Sequence, residues 1–218
     1  MGEFIFLMPE GARILLNLRN EFYQTPGIKE FFYKENEVLI RGLERDKKVL
    51  DVGCGLGTHL LLMSKFCNYL VGVDFSEAVL KHTRKRLEGI RNIKIQNMNA
   101  RHMTFESNAF DQTSCMDATI GNFEDEIQVL KEMVRVTKKG GRVIFSVFNL
   151  LSTKERLIFY EKIGVKDINL EGTTFRNPTG LYSKSYSRTQ VVELCKAAGL
   201  LPKIHATRLG YVCEAIKR

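Results

Sequence analysis

Hydrophobic and polar positions along the chain alternate between short apolar runs and stretches of helical period. Lys48-Val49-Leu50-Asp51-Val52 is a compact apolar run closed by glycines, the pattern of a parallel strand buried on both faces. From Leu56 to Cys67, Leu60, Leu61, Met63 and Phe66 recur at helical spacing. Tyr69-Leu70-Val71-Gly72-Val73-Asp74 reads as a second strand, and Ser76 caps a helix carrying Val79, Thr83 and Leu87. Ile93 to Asn97 alternates as a third strand. Phe110 to Met116 makes a fourth, unusually polar at Gln112, Thr113 and Ser114. Ile127, Leu130 and Val134 mark a helix, Gly140-Gly141 a turn, and Arg142 to Phe148 a fifth strand. Ser187-Arg188-Thr189-Gln190 has the form of a capping box opening a helix that stops at Gly199. The runs Leu201–Leu209 and Tyr211–Ile216 meet at Gly210 with no room for a crossover helix, so they pair antiparallel.

Strands alternating with helices imply an α/β fold: a mostly parallel sheet covered on both faces, with an antiparallel edge from the closing hairpin. The 218 residues suit a single domain. Within it, residues 1–44 form a helical N-terminal cap and 45–148 the ligand-binding core. Residues 149–186 form a cap or acceptor insertion, and 187–218 the closing helix and hairpin. Both flanking segments are placed to cover the carboxyl ends of the strands, where open α/β sheets bind ligands.

Composition narrows the setting. A hydrophobic fraction of 44% is that of a globular chain, and no run of about 18 uncharged apolar residues exists to span a membrane. The first ten residues carry two acids and a very short apolar stretch, unlike a secretory signal. Five scattered cysteines without a C-x-x-C spacing argue against a disulfide framework or a metal site and suit a reducing cytoplasm. The net charge of +8 permits an anionic partner without requiring one. Its densest cluster, Lys81, Arg84, Lys85, Arg86, Arg91 and Lys94, lies on a surface helix and the turn after it, without the interleaved aromatics of nucleic-acid modules.

The chemistry is concentrated in Asp51-Val52-Gly53-Cys54-Gly55-Leu56-Gly57-Thr58, between a strand and a helix. Glycines there let the backbone turn tightly and approach a ligand. Asp74 follows at the end of the second strand, where a carboxylate can accept both hydroxyls of a ribose, and Phe75 offers a flat face to an adenine ring. An adenosine-containing ligand is expected. Thr58 stands where a dinucleotide fingerprint needs its last glycine, and the Walker lysine is absent. An acid at Asp51 suits a ligand with a cationic amino group and repels a pyrophosphate.

Val49 to Gly57 resembles the first motif of class I S-adenosylmethionine-dependent methyltransferases. Val73-Asp74-Phe75-Ser76 resembles their second, Phe110-Asp111 their fourth-strand motif, and Leu130 to Val147 their fifth-strand region. The resemblance implies a Rossmann-like three-layer sandwich with a seven-stranded sheet, its last strand antiparallel. S-adenosylmethionine would lie across the strand ends and leave as S-adenosylhomocysteine. It further implies that Gly53, Cys54 and Gly55 line the methionine part, with Asp51 holding the ammonium and Asp74 the ribose. Asn99 and Ala100 would sit at the adenine, and Met116 and Asp117 would flank the sulfonium. Asn99 departs from the aspartate that is common at its position.

Methyl transfer needs alignment and exclusion of water more than a dedicated base, so no catalytic residue is assigned. Aromatic residues in both flanking segments suggest a small acceptor in a partly apolar pocket, or simply core packing of those segments. Tyr23, Asn122, Tyr182 and Tyr186 are the candidates there, with Arg176 and Lys184 as binders of an acceptor carboxylate or phosphate. The alternatives are an RNA or protein acceptor, and a non-catalytic subunit that binds S-adenosylmethionine and supports a partner.

Overall fold

The computed structural model describes residues 26–162 and 164–218. Its elements, in chain order, are α1 (Pro26–Ile40), β1 (Lys48–Val52), α2 (Thr58–Met63), β2 (Tyr69–Asp74), α3 (Glu77–Arg86), β3 (Ile93–Asn97) and β4 (Phe110–Cys115). There follow α4 (Glu126–Val136), β5 (Thr137–Asn149), α5 (Thr153–Lys162), β6 (Asn169–Glu171), β7 (Thr174–Arg176), β8 (Tyr182–Tyr186), α6 (Arg188–Ala197), β9 (Lys203–Ala206) and β10 (Gly210–Ile216).

Seven strands lie in the order β3-β2-β1-β4-β5-β10-β9, with only β10 reversed against its neighbours. The Rossmann-like expectation therefore holds. Successive strand side chains point to opposite faces, and here both faces are buried. Val49, Leu70 and Ile144 enter one core with α1, α2 and α3. Leu50, Val52, Val71, Val73, Val143, Phe145 and Val147 enter the other with α4 and α6. That is why these strands read as unbroken apolar runs.

The polar stretch of β4 is buried and hydrogen-bonded. Gln112 donates to the Leu39 carbonyl and accepts from Arg142, Thr113 pairs with Thr137, and Ser114 donates to Asp51. The strand thus stitches α1, β5 and β1 together with groups that would be costly if left unpaired.

Two expectations change. Gly140-Gly141 does not end a turn before the fifth strand but lies within β5. The pairing with β4 slips there between Phe110–Thr137 and Gln112–Arg142, and Gly140 takes φ 74°. The 149–186 segment is not a plain insertion. It holds α5 and an antiparallel meander β6-β7-β8, joined to the main sheet where Phe148 and Asn149 of β5 pair with Ser185 and Tyr186.

Pro26 opens α1, a position where its missing N–H costs nothing. The helix packs across the sheet end, with Phe31 against Phe148 at 5.4 Å between ring centroids. The predicted capping box at Ser187 and Gln190 is present at the start of α6. All five cysteines are free and buried, and no described helix is long and apolar enough to cross a membrane.

Candidate functional site

The site begins with the loop after β1. Gly53, Gly55 and Gly57 take φ values of 67°, 50° and 73°, in the left-handed region that favours glycine. A Cβ on Gly53 would stand 2.7 Å from the Thr119 methyl, so this turn also needs a bare backbone for packing. Asp74 fixes the loop to the end of β2: its carboxylate accepts from Gly55 N at 2.9 Å and from Ser76 N at 3.0 Å. Burial holds this carboxyl above the usual range, and the backbone donors draw it back down. The Thr83 hydroxyl donates to the Gly55 carbonyl from α3 and completes the clamp.

A cavity of about 250 Å³ opens over this loop at the carboxyl ends of the strands. The strand order reverses between β1 and β4, and open α/β sheets bind ligands at such a switch point. Of the expected cofactor residues, Gly53, Cys54, Gly55, Asp74, Phe75, Asn99, Ala100 and Asp117 line the cavity. Phe75 is 40% exposed, leaving its ring face open. Asn99 is exposed, and its side-chain oxygen accepts from Arg101 N, closing a local turn. Cys54 is buried, and burial with nearby carboxylates pushes its thiol well up, so it is a wall and not a nucleophile.

Two expected cofactor residues stand elsewhere. Asp51 is 2% exposed and lies beneath the loop, accepting from the Ser114 hydroxyl at 2.9 Å. Burial raises its carboxyl to about 6, against an opposing pull from His59. Met116 is packed into the core on the α1 side of the sheet, because the chain turns sharply only after it.

That turn is strained. Asp117 and Ala118 both have φ near 55°, uncommon for residues with a side chain. Glu35 of α1 and Ser146 of β5 hold it, accepting from Asp117 N and Ala118 N at 2.8 Å each. Glu35 is fully buried, and its second carboxylate oxygen has no partner. Desolvation and the charge of Asp117 push its carboxyl far up. With His59, whose Nε2 lies 3.8 Å from Asp117, these groups bring one donor atom each within 4.8 Å of one another. An orphaned buried carboxylate oxygen beside two cavity-lining groups makes this corner receptive to a cation. It thus fits a ligand carrying an ammonium group. Sequence reading missed Glu35 because one acid on an amphipathic helix looks like its solvated face.

The other half of the cavity is aromatic. Phe32 and Asn36 of α1, Phe148, Phe159 and Tyr160, and Leu181 and Ser183 of the meander line it together with Asn122. Asn122 is the acceptor candidate that the structure brings to this cavity among the described residues. Among the described residues, the other acceptor candidates do not line the cavity. Arg176 stacks on Tyr182 and pairs with Glu171 and Glu124. Lys184 pairs with Glu126 at 2.7 Å, and the buried Tyr186 hydroxyl donates to the same glutamate. Tyr23 lies outside the described residues.

The fold is one that S-adenosylmethionine-dependent methyltransferases share, and the glycine loop is similar to their first motif. Residues 49–141 match the family model of a methyltransferase domain. A demethylmenaquinone methyltransferase of Staphylococcus aureus is 29% identical over 139 residues, covering 61% of this chain and 57% of that protein. The chain thus spans little more than half the length of the curated relatives it matches. Among solved structures, the fold is shared with an S-adenosylmethionine-dependent methyltransferase from Aquifex aeolicus (TM-score 0.66, 17% identity, 97% of this chain and 99% of that one). It is shared also with the PH0226 protein of Pyrococcus horikoshii (TM-score 0.70, 23% identity, 92% and 98%).

Proposed function

We propose that the domain transfers a methyl group from S-adenosylmethionine to a nucleophilic atom of a small, largely apolar acceptor. One observation carries this reading: a cavity whose glycine-loop half presents Asp74 and Asp117 and whose other half is walled by Phe32, Phe148, Phe159 and Tyr160. S-adenosylmethionine supplies a methyl group on a positively charged sulfur, which departs as a neutral thioether. An acceptor lone pair would form the new bond while the carbon–sulfur pair stays on sulfur, and an acceptor that carries a proton would release it to solvent.

In this reading Asp74 takes the ribose hydroxyls and Phe75 with Ala100 the adenine. Gly53 and Gly55 give the backbone approach to the methionine part, Asp51 and Asp117 supply negative potential for the ammonium, and the unpartnered Glu35 oxygen accepts from it. The acids act mostly through the field, which is strong where water is scarce. The aromatic half aligns the acceptor and excludes water, which supplies much of the rate in displacements of this kind.

The named acceptor of the Staphylococcus relative, a quinone, supports an apolar ring system. The basic face of α3 gives less support to an RNA acceptor. Arg84 is engaged by Glu77, and Arg86 turns inward to the Leu56 carbonyl. Incubating purified protein with methyl-labelled S-adenosylmethionine and fractionated extract tests the reading. Label in a small-molecule fraction is expected; label confined to RNA or protein contradicts it.

A further inference from the structure

Arg156 of α5 is fully buried. Its guanidinium lies between the rings of Phe148 and Phe175, 4.3 and 4.5 Å from their centroids. It donates to Ser185 Oγ at 2.5 Å, Ser183 Oγ at 2.6 Å, the Tyr160 hydroxyl at 3.0 Å and the Ser183 carbonyl at 3.1 Å, while its Nε has no partner. Arg142, Arg176 and Lys184 each have a glutamate. Among the described residues, Arg156 has no carboxylate partner. Arginine stays charged in proteins, and a buried charge without a counter-charge is strongly unfavourable, so such a group is retained where something compensates it. The aromatic faces do so in part.

A guanidinium only donates. Each hydroxyl that accepts from it must therefore offer its own proton elsewhere. Tyr160 and Ser183 line the aromatic half of the cavity, which puts the cation one hydrogen bond behind that wall. We propose that this wall is an oxyanion subsite. The Tyr160 and Ser183 hydroxyls donate to a carboxylate or phenolate oxygen of an aromatic acceptor, and Arg156 behind them supplies the positive charge. The subsite rests on the methyltransferase reading for its occupant and names that occupant's class: an aromatic ring bearing an anionic oxygen. The sequence placed this task on Arg176 and Lys184; both are neutralised by glutamates, whereas Arg156, directly behind the cavity wall, has no carboxylate partner among the described residues.

The test is calorimetric titration of 2-naphthoate and its neutral isostere 2-naphthamide into the protein, alone and saturated with S-adenosylhomocysteine. Naphthoate is expected to bind at least about tenfold more tightly. The Tyr160→Phe/Ser183→Ala protein should bring the two probes to within about twofold while still binding S-adenosylhomocysteine. Equal affinity of the two probes for the unaltered protein, or no binding of naphthoate, overturns the proposal whether or not the variant folds. A naphthoate preference that persists undiminished in the folded variant overturns it too. A naphthoate preference lost in the variant, without any binding of S-adenosylhomocysteine, supports the subsite and sinks the methyltransferase reading alone.

Discussion

Asp51 shows how one buried carboxylate can oppose the empty fold and favour the loaded one. Its carboxyl is raised from 3.8 to about 6, so the native state holds its proton more tightly than the unfolded chain. The stability it contributes is complete below pH 3.8 and is lost as pH rises through about 6. Asp51→Asn is accordingly expected to raise the thermal midpoint of the unliganded protein at pH 7.5 and leave it little changed at pH 4. A cation binding above the loop prefers the ionised form. Affinity for S-adenosylmethionine should therefore rise with pH, by up to about tenfold from pH 5 to 7.5, and the Asn variant should flatten that rise. Calorimetry across the pH range reads both slopes; a pH-independent affinity in the unaltered protein contradicts the role given to Asp51. The loop glycines separate packing from ligand approach. Gly53→Ala meets both the left-handed φ and the Thr119 methyl, and should destabilise the fold by about 1–3 kcal/mol. Gly55→Ala meets open space and should lose only about 1 kcal/mol, yet weaken cofactor binding because the new methyl stands in the cavity. Thermal melts and calorimetry on the pair separate the two effects.

The elements were legible where one periodicity dominated. β1, β2 and the core of β5 are buried on both faces, and the Ser187 box is local in sequence, so pattern alone located them. The meander was not legible. β6 is exposed throughout and three residues long, too short for an alternation to register. Nor could β5 be followed back through Gly140-Gly141, because a bulge and a turn share the same residues. β4 looked doubtful as a core strand until its partners were known; Gln112, Thr113 and Ser114 are polar because each finds a hydrogen bond across the sheet. At this scale the box is the cleanest handle. Ser187→Ala removes the bond from Gln190 N and should cost about 1 kcal/mol, read as a shift in denaturant midpoint at unchanged slope.

Across the whole molecule, the two halves of the cavity differ in how far apart their residues lie in the chain. Most of the glycine-loop half comes from loops that follow β1, β2 and β3, each close to a strand the sequence announces. The aromatic half is assembled from α1, the end of β5, α5 and the meander, segments brought together only by folding. Glu35 and Arg156 were therefore hidden: both are charged residues on helices, and only tertiary packing buries them. Hydrogen exchange should reflect this division, with S-adenosylhomocysteine slowing amides of residues 53–57, 74–76 and 117–119 and leaving β9 unchanged. The central claim is that a sulfonium nucleoside is held between the glycine loop and Asp74. Titrating S-adenosylhomocysteine into the protein and into Asp74→Asn tests it most directly. We expect one site per chain in the former and affinity at least about a hundredfold weaker in the latter. Unaltered affinity in the variant, or binding of NAD in place of S-adenosylhomocysteine, contradicts the account.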